Sequence, residues 1–213
     1  MLNMDFSQKV QVHTAAELWV PSPRAGVWRK PLAREEQEHG HATSIVRYDP
    51  GASFHSHNHP GGEEILVLEG TFSDETGDFG RGSYFRNPAG FVHAPFSKEG
   101  CVILVKLHQF AEDDEARLCI PTETQEYQTL SEGIEILPLH QHRSERVSLL
   151  RMASGSRLPL EDFAGVEWYL LSGQLSDDLG DRLGDSGSWF RAPGQAAVTA
   201  SEPSLLWLKT GHF

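Results

Sequence analysis

The sequence is short of cysteine, of basic side chains and of long apolar runs. Its two cysteines, Cys101 and Cys119, are too few for a disulfide framework in a chain of 213 residues. Only 18 Lys and Arg residues stand against 30 Asp and Glu residues, and the net charge of −12 leaves no cationic excess to neutralise nucleic-acid phosphates. No apolar run approaches the roughly 18 residues that a membrane span requires. We therefore expect neither a nucleic-acid partner nor a membrane segment.

The chain start and the cysteines together predict a location. Residues 1–8 contain neither a basic region nor an apolar region of the kind that directs export. We therefore expect a reduced, cytoplasmic protein. Cys101 begins the apolar run 102–105, which predicts a buried and inert thiol, whereas the sequence leaves the exposure of Cys119 open.

An internal repeat is the main feature that the sequence does contain. Three segments recur in the same order, at offsets of 103 to 107 residues: 26–32 as 133–139, 62–70 as 165–173, and 82–88 as 187–193. Two copies of one module therefore account for nearly the whole chain.

Each copy has the pattern of a β-rich module. Twenty glycines and 12 prolines favour short strands and turns. Strands are predicted at 44–48, 63–69, 83–86, 102–108, 146–152, 167–172, 188–191 and 204–209. Only residues 110–118 have a briefly helical composition. The predicted fold class is all-β, with a sandwich or barrel in each half: an N-terminal domain at 1–110, an acidic linker at 111–132 and a C-terminal domain at 133–213.

Histidines of the first copy have the spacing of a metal site. Residues two apart on a strand face the same side, so His57 and His59 would project together. A turn leads to Glu63 on the returning strand, and His93 lies on a later strand. Three imidazoles and one carboxylate suit zinc, iron, manganese, nickel or copper better than calcium or magnesium.

Two neighbours of these residues leave alternatives open. Strand alternation turns only one of Glu63 and Glu64 inward, so Glu64 is a rival ligand. His55 could contact the ligand residues without binding the metal itself, or it could act as a base at the mouth of a pocket. We favour a third interpretation, an exposed imidazole at a strand edge.

The spacing of these residues resembles the two motifs of the cupin superfamily. The first motif is carried by Gly51, His57, His59, Glu63 and Gly70, and the second by Gly82, Pro88, Gly90 and His93, with Ser97 where Asn is usual. The resemblance implies two tandem jelly-roll barrels, also called double-stranded β-helices. It further implies one metal ion in the first barrel, held by His57, His59, Glu63 and His93, and it favours Glu63 over Glu64.

A narrower resemblance covers residues 19–110. The segments 26–32, 59–75 and 87–101 are similar to the cupin domain of ChrR-type anti-sigma factors. In that family a zinc-binding cupin follows a helical sigma-binding domain and takes part in the response to singlet oxygen or peroxides. The resemblance implies one divalent metal per chain, zinc first, with iron, manganese or nickel as alternatives. It also implies a small ligand or oxidant in the first barrel, and it is the sole basis for a sigma-factor link.

Two departures from the family accompany this resemblance. The residues before Trp19 contain one histidine, no cysteine and too few positions for a helical bundle, so we expect no sigma-binding domain there. The second copy has no histidine at the ligand positions. One alignment places Leu160, Asp162, Val166 and Val198 there, and another places Glu161, Phe163 and Glu167.

These observations lead to one preferred function and one alternative. We expect a metal-binding bicupin with a regulatory or oxidative-stress-sensing role, whose second barrel is metal-free. The alternative is a metal-dependent dioxygenase acting on a small diketone or hydroxyketone. Family analogy also predicts a homodimer that pairs through edge strands.

Overall fold

The computed structural model of the chain describes residues 1–36, 40–195 and 197–213. The described part consists of β-strands, turns and two single-turn 3₁₀ helices, which confirms the all-β prediction. It contains no helix of the length and apolar character needed to cross a bilayer.

The strands are short and closely spaced. In chain order they are β1 (Val10–His13), β2 (Val20–Pro21), β3 (Val27–Arg34), β4 (Ala42–Tyr48), β5 (His57–His59), β6 (Glu63–Asp74), β7 (Gly77–Gly80), β8 (Ser83–Asn87), β9 (Phe91–His93), β10 (Cys101–Leu107), β11 (Leu118–Pro121), β12 (Gln128–Ser131), β13 (Ile134–His142), β14 (Glu145–Met152), β15 (Arg157–Pro159), β16 (Val166–Ser172), β17 (Gln174–Ser176), β18 (Arg182–Asp185), β19 (Ser188–Ala192), β20 (Ala197–Ala200) and β21 (Ser204–Thr210). The 3₁₀ turns are Thr14–Ala16 and Thr122–Thr124.

The chain folds as two compact units. Unit 1 comprises residues 1–4 and 18–125, and unit 2 comprises residues 5–17 and 126–213. Each unit combines one large antiparallel sheet with a smaller sheet.

In unit 1 the large sheet has the strand order β11-β8-β6-β10-β4-β3-β2, and β7 pairs with β6. The smaller sheet pairs β5 with β9. Alternating apolar residues of the large sheet, including Ile65, Val67, Phe72, Phe85 and Ile103, form a buried core. Burying this apolar surface is the main force that closes the unit.

Unit 2 repeats the plan. Its large sheet has the order β1-β19-β16-β21-β14-β13-β12, and its smaller sheet the order β15-β20-β17-β18. Trp168 and Phe190 stack in its core with ring centroids 4.9 Å apart, and Leu160, Leu170 and Leu206 are fully buried. Unit 2 therefore has an apolar core of its own.

Gly70 lies where β6 leaves the main sheet. Its φ of +68° is in the left-handed region, and a Cβ at this position would lie 2.1 Å from the carbonyl oxygen of Gly100. Gly173 occupies the same place in unit 2, with a φ of +97°. Only glycine fits both the conformation and the close approach, which explains why the repeat keeps it.

The boundaries of the two units differ from the predicted domains at 1–110 and 133–213 and the predicted linker at 111–132. Strand β11, within the predicted linker, pairs with β8 of unit 1, with Leu118 opposite Arg86. Strand β1, within the predicted first domain, pairs with β19 of unit 2, with Val10 opposite Arg191. Both β8 and β19 would otherwise have open edges, and these pairings satisfy their backbone groups.

Residues 110–118, whose composition is briefly helical and most of which lie in the predicted acidic linker, are not helical. Residues 112 and 113 form a turn, residues 114–117 have no regular secondary structure, and β11 begins at Leu118. Arg86, which is fully buried, bonds the Asp114 carboxylate at 2.5 Å, and the Phe110 ring lies 3.9 Å from its guanidinium. These tertiary contacts hold the segment against the sheet and outweigh its weak helix propensity.

Candidate metal centre

The pairing of β5 with β9 brings three histidines together. The register sets His57 directly opposite His93, and the two-residue period of the strand places His59 on the same face as His57. Each histidine contributes one ring nitrogen to a cluster in which all three atoms lie within 4.8 Å of one another. His59 and His93 are buried, and His57 is partly exposed.

Glu63 at the start of β6 supplies a carboxylate to the same cluster. Its Oε1 lies 3.7 Å from His59 Nε2, and its Oε2 lies 3.4 Å from His93 Nε2. Asn87, opposite Glu63 on β8, donates its side-chain amide to Oε2 at 3.2 Å and so orients the carboxylate. Glu63 is 5% exposed, so this oriented carboxylate is buried beside the imidazoles.

Hydrogen bonds set the tautomers of two histidines. His57 Nδ1 lies 2.9 Å from the carbonyl oxygen of His55, which can only accept a hydrogen bond, so this nitrogen carries the proton. His93 Nδ1 lies 3.0 Å from Asp74 Oδ2 and donates in the same way. In neutral rings the Nε2 lone pairs are then left for the centre of the cluster, the arrangement usual for metal-binding histidines.

Asp74 is itself held in place. Its other oxygen accepts the backbone N–H of Thr76 at 2.7 Å and the Thr76 hydroxyl at 2.6 Å. Burial would raise the pKa of Asp74, but the hydrogen bonds from His93 and Thr76 outweigh it, and the pKa is lowered. Asp74 therefore presents a charged carboxylate to His93.

Two imidazoles of the cluster have opposite pKa shifts. Burial lowers the pKa of His59, against the attraction of Glu63, and favours its neutral form. Burial also acts to lower the pKa of His93, but the Asp74 hydrogen bond and the charge of Glu63 outweigh it, so that this pKa is raised. His59 Nε2 and His93 Nε2 are only 2.9 Å apart. One proton or one cation between the two nitrogens would relieve the repulsion of their lone pairs.

The donor atoms fit a single transition-metal ion. Two ligand atoms that are each about 2.1 Å from one ion lie about 3.0–3.4 Å apart at coordination angles between octahedral and tetrahedral. The separations of 2.9, 3.4 and 3.7 Å among His59, Glu63 and His93 are close to that range. Three imidazole nitrogens and one carboxylate match zinc, iron, manganese or nickel, and the set alone does not select among them.

A small cavity inside unit 1 reaches this cluster. Its volume is about 90 Å³, and His57, His59 and Glu63 form part of its wall. Apolar side chains, including Val46 and Phe54, form another part. A ligand in this cavity would therefore contact both the cluster and an apolar surface.

Comparison with known proteins identifies the family. The ChrR cupin-like domain matches residues 7–111 and again residues 115–213. The chain belongs to the ChrR cupin-like family. It is a bicupin, and its two matches coincide with the two sequence repeats, which confirms the prediction of tandem jelly-roll cupins.

Solved structures share the fold at low sequence identity. A proposed dioxygenase from Nostoc punctiforme is 16% identical over 97% of this chain and 83% of its own, with a TM-score of 0.78. Oxalate decarboxylase from Bacillus subtilis is 15% identical over 94% of this chain and 75% of its own, with a TM-score of 0.67. The enzyme from Lactobacillus farciminis, solved with formate, is 12% identical over 94% and 85%, with a TM-score of 0.68. No curated protein sequence matches the chain.

The rival ligand Glu64 faces away from the histidines. Its carboxylate accepts the Tyr84 hydroxyl at 2.9 Å and pairs with Arg86 at 3.2 Å on the opposite face of the sheet. Both glutamates are buried, so burial alone does not distinguish them. His55 is exposed, and its backbone carbonyl oxygen accepts a hydrogen bond from His57 Nδ1.

The C-terminal cupin has apolar side chains at the equivalent positions. Leu158 on β15 pairs with Val198 on β20, as His57 pairs with His93 in the first cupin. Leu160 follows two residues later and is fully buried. Val166 begins β16 as Glu63 begins β6. These four positions offer no ligand atoms, and their side chains contribute to the core of unit 2.

Neither predicted alignment of the second copy is right throughout. The first alignment is correct at Val166 and Val198 but is shifted by two residues in the strand that precedes Val166. The shift arises because the segment from Leu160 to Val166 is two residues longer than the equivalent segment from His59 to Glu63. Its Asp162 is exposed. In the second alignment Glu161 is exposed, and Glu167 faces away like Glu64, accepting the Trp189 indole N–H at 2.8 Å.

Sequence reasoning missed the residues that support the cluster. Asp74 and Asn87 were not predicted as part of the site, since both lie outside the predicted strands 63–69 and 83–86. Arg29 and Arg34, which line the cavity, were also missed. The sequence signal available for Asn87 is its position directly before Pro88 of the second cupin motif.

Proposed function

We propose that the N-terminal cupin binds one divalent transition metal through His57, His59, Glu63 and His93, and that this centre senses a small ligand or oxidant in a regulatory, stress-linked role. The observation that carries the proposal is the convergence of three imidazoles and one carboxylate, of which His57, His59 and Glu63 also line a small cavity. Zinc, the first candidate, would stiffen the cluster without redox chemistry.

The residues around the cluster support metal binding over a purely structural role. His57 and His93 both have their Nδ1 protons committed elsewhere, so both direct Nε2 to the cluster. Histidines that only pack in a protein core do not need a buried carboxylate that accepts a hydrogen bond from one of the rings. The support of His93 by Asp74 is the arrangement that orients a metal-binding imidazole.

The regulatory role draws its support from the family. The two ChrR cupin-like matches cover nearly all of the chain. A sensor of this kind would change its shape, or its affinity for a protein partner such as a sigma factor, when the metal site gains a ligand or is oxidised. The differential affinity of that ligand for the two states would set the size of the response.

A second candidate, a metal-dependent dioxygenase, is favoured by the cavity that touches the ligands. This cavity leaves space for a small substrate such as a diketone or hydroxyketone next to the metal. Among structures with the same fold, the Nostoc protein is a proposed dioxygenase, and Bacillus subtilis oxalate decarboxylase has Mn(II) centres. Iron or manganese would supply Lewis-acid or oxygen chemistry at this place, and the apolar wall would exclude water.

Metal analysis of the protein purified without added metal tests the proposal. About one transition-metal ion per chain is expected, and His57→Ala and His93→Ala should each abolish it. Val198→Ala, at the position equivalent to His93, is the matched control and should retain the metal. Absence of metal from the wild-type protein after exposure to zinc, iron and manganese, or retention in both histidine variants, would refute the proposal.

The metal found also separates the two candidates. Zinc with no oxygen uptake supports the sensor, and co-purification with a sigma factor would identify its partner. Iron with oxygen uptake on a small diketone supports the dioxygenase.

A further inference from the structure

The inner face of β4 forms one wall of the cavity that reaches the proposed metal ligands. Side chains two apart on a strand face the same side, and four alternate residues of β4 line the cavity: Ala42, Ser44, Val46 and Tyr48. Strand β10 extends this wall, because its Ile103 lies opposite Val46 and also lines the cavity. The wall that the two strands form is mainly apolar, and Tyr48 places a phenol hydroxyl in it.

Aromatic packing holds the Tyr48 ring in place. Tyr48 is 5% exposed, and its ring meets those of Phe54 and Phe72 edge-on, with centroids 5.8 and 5.7 Å apart. Phe54 also lines the cavity, whereas Phe72 is a core residue. The hydroxyl of a ring fixed in this way is already oriented, so a ligand that contacts it does not have to immobilise it.

The Tyr48 hydroxyl has no hydrogen bond to any of the residues that the structure describes. Tyr84, which is also buried in unit 1, instead donates its hydroxyl to the Glu64 carboxylate at 2.9 Å. Buried polar groups of folded proteins nearly always have a hydrogen-bond partner. An unpaired, buried hydroxyl on a cavity wall therefore indicates a partner that binds in the cavity.

The phenol of Tyr48 is a hydrogen-bond donor. Burial raises its pKa well above the ordinary value, nearby Glu63 and Cys101 add to the effect, and Arg29 opposes it. The hydroxyl therefore keeps its proton and can donate to an acceptor oxygen. Arg29 and Arg34 line the same cavity but have interactions of their own, so no ligand contact is assigned to them. A neutral donor beside apolar side chains suits an uncharged acceptor, because an ion would lose its hydration against them.

The cavity admits only a small molecule. Its volume of about 90 Å³ is far below the roughly 300–1,000 Å³ typical of sites for drug-sized ligands. We propose that this cavity binds a small, uncharged and largely apolar molecule, and that Tyr48 recognises it by donating a hydrogen bond to its acceptor oxygen. The inference deepens the proposed function, on which it rests for the role of the cavity, by naming the ligand class and a recognition residue.

NMR titration of the full chain, loaded with zinc, with butanone and with 2-methyl-1-butene tests the proposal. The second probe has the shape of butanone but carries a CH₂ group in place of the carbonyl oxygen. Butanone should bind the wild-type protein with a dissociation constant on the order of 1–10 mM, as expected for a ligand of its size. Tyr48→Phe should weaken butanone binding at least about threefold, the effect of one net hydrogen bond, and should leave the affinity for 2-methyl-1-butene unchanged or higher.

Tyr84→Phe is the matched control, since it makes the same change at a buried tyrosine whose hydroxyl has a partner in the protein. It should leave both affinities unchanged but lower the urea midpoint of unfolding. Tyr48→Phe should not lower this midpoint, because it breaks no hydrogen bond within the described part of the chain.

The outcomes separate this inference from the proposed function. Recognition by Tyr48 is overturned if wild-type protein shows no saturable butanone binding below about 0.1 M, if Tyr48→Phe loses less than about threefold in butanone affinity, or if it loses equally for both probes. It is also overturned if Tyr48→Phe does not fold or unfolds at a lower urea concentration than Tyr84→Phe, because the hydroxyl would then have a structural partner. If the protein takes up no metal, the proposed function fails, and the same titrations of the metal-free protein decide the role of Tyr48.

Discussion

The hydrogen bond from His93 to Asp74 offers a test of whether Asp74 prepares His93 for the proposed metal site. In the Asp74→Asn variant the side chain keeps its size but loses its charge and one acceptor. If the amide nitrogen faces His93, it opposes the Nδ1 proton, and the ring must move its proton to Nε2, the atom directed at the metal. If the amide is turned round, its nitrogen instead faces the backbone N–H of Thr76, and both groups are donors. In the wild-type protein Asp74 accepts a hydrogen bond from this N–H at 2.7 Å. The first orientation is relieved only by moving the His93 proton to Nε2, and the second leaves two donors facing each other.

The expected size of the effect follows from this conflict. Loss of a partner that orients a metal-binding histidine typically lowers metal affinity about 10- to 100-fold. This corresponds to about 1.4–2.7 kcal/mol of binding free energy. Asp74 is 6% exposed and the hydrogen bond is 3.0 Å long, so water cannot readily replace the lost acceptor. We expect a value toward the upper end of this range.

Competition for zinc against a chromogenic chelator measures the affinity. Nitrogen NMR of the imidazole rings reports whether His93 changes its tautomer. Asp78→Asn is the matched control, since Asp78 lies in the same hairpin but is exposed and bonds the Ser73 hydroxyl instead. If the zinc affinity of the Asp74→Asn variant is within twofold of the wild-type value and the His93 tautomer is unchanged, Asp74 does not prepare His93 for metal binding.

Three further predictions concern other buried groups. Glu63→Gln should abolish metal uptake, whereas Glu64→Gln should keep the metal but lower the free energy of unfolding by at least about 1 kcal/mol, because it removes the charge paired with a buried arginine. Burial raises the pKa of Cys101 to about 11, so about one thiol in a thousand is ionised at pH 8 and alkylation should be confined to the exposed Cys119. Leu160→Ala should lower the free energy of unfolding by about 2–5 kcal/mol, measured by denaturant titration.

Each of these predictions has its own control. Metal loss in Glu64→Gln with retention in Glu63→Gln would reverse the assignment of the two carboxylates. Cys119→Ser should eliminate the fast alkylation, and fast labelling that persists would mean that Cys101 is accessible. Leu179→Ala makes the same change as Leu160→Ala at a side chain that is 87% exposed, so an equal loss of stability there would contradict the core assignment.

The strands were predictable because their signals are local. The segments 44–48, 83–86 and 188–191 alternate or are bounded by turn residues, and each lies within an observed strand. The alternation of His57 and His59 was equally local, and it placed both rings on one face. The spacing of the cupin motifs carried the remaining information, because it relates the first histidine pair to Glu63 and His93.

The segment 110–118 shows where local signals fail. Its acidic, alanine-containing composition fits a helix in isolation, but Arg86 lies inside the protein and attracts Asp114. Residues 118–121 had no strong strand pattern, yet the open edge of β8 gives them a partner. Such pairings join residues far apart in the sequence, and the sequence of one strand does not identify the strand with which it pairs.

By itself, the sequence determined that this protein is a tandem repeat of short strands and that its first half carries a histidine-rich ligand pattern, because both depend on spacing within a few residues or on similarity between copies. The tertiary structure alone decided which edge strand completes which unit and how Asp74 reaches His93. These depend on register between distant strands, where a shift of one residue reverses the face of every side chain.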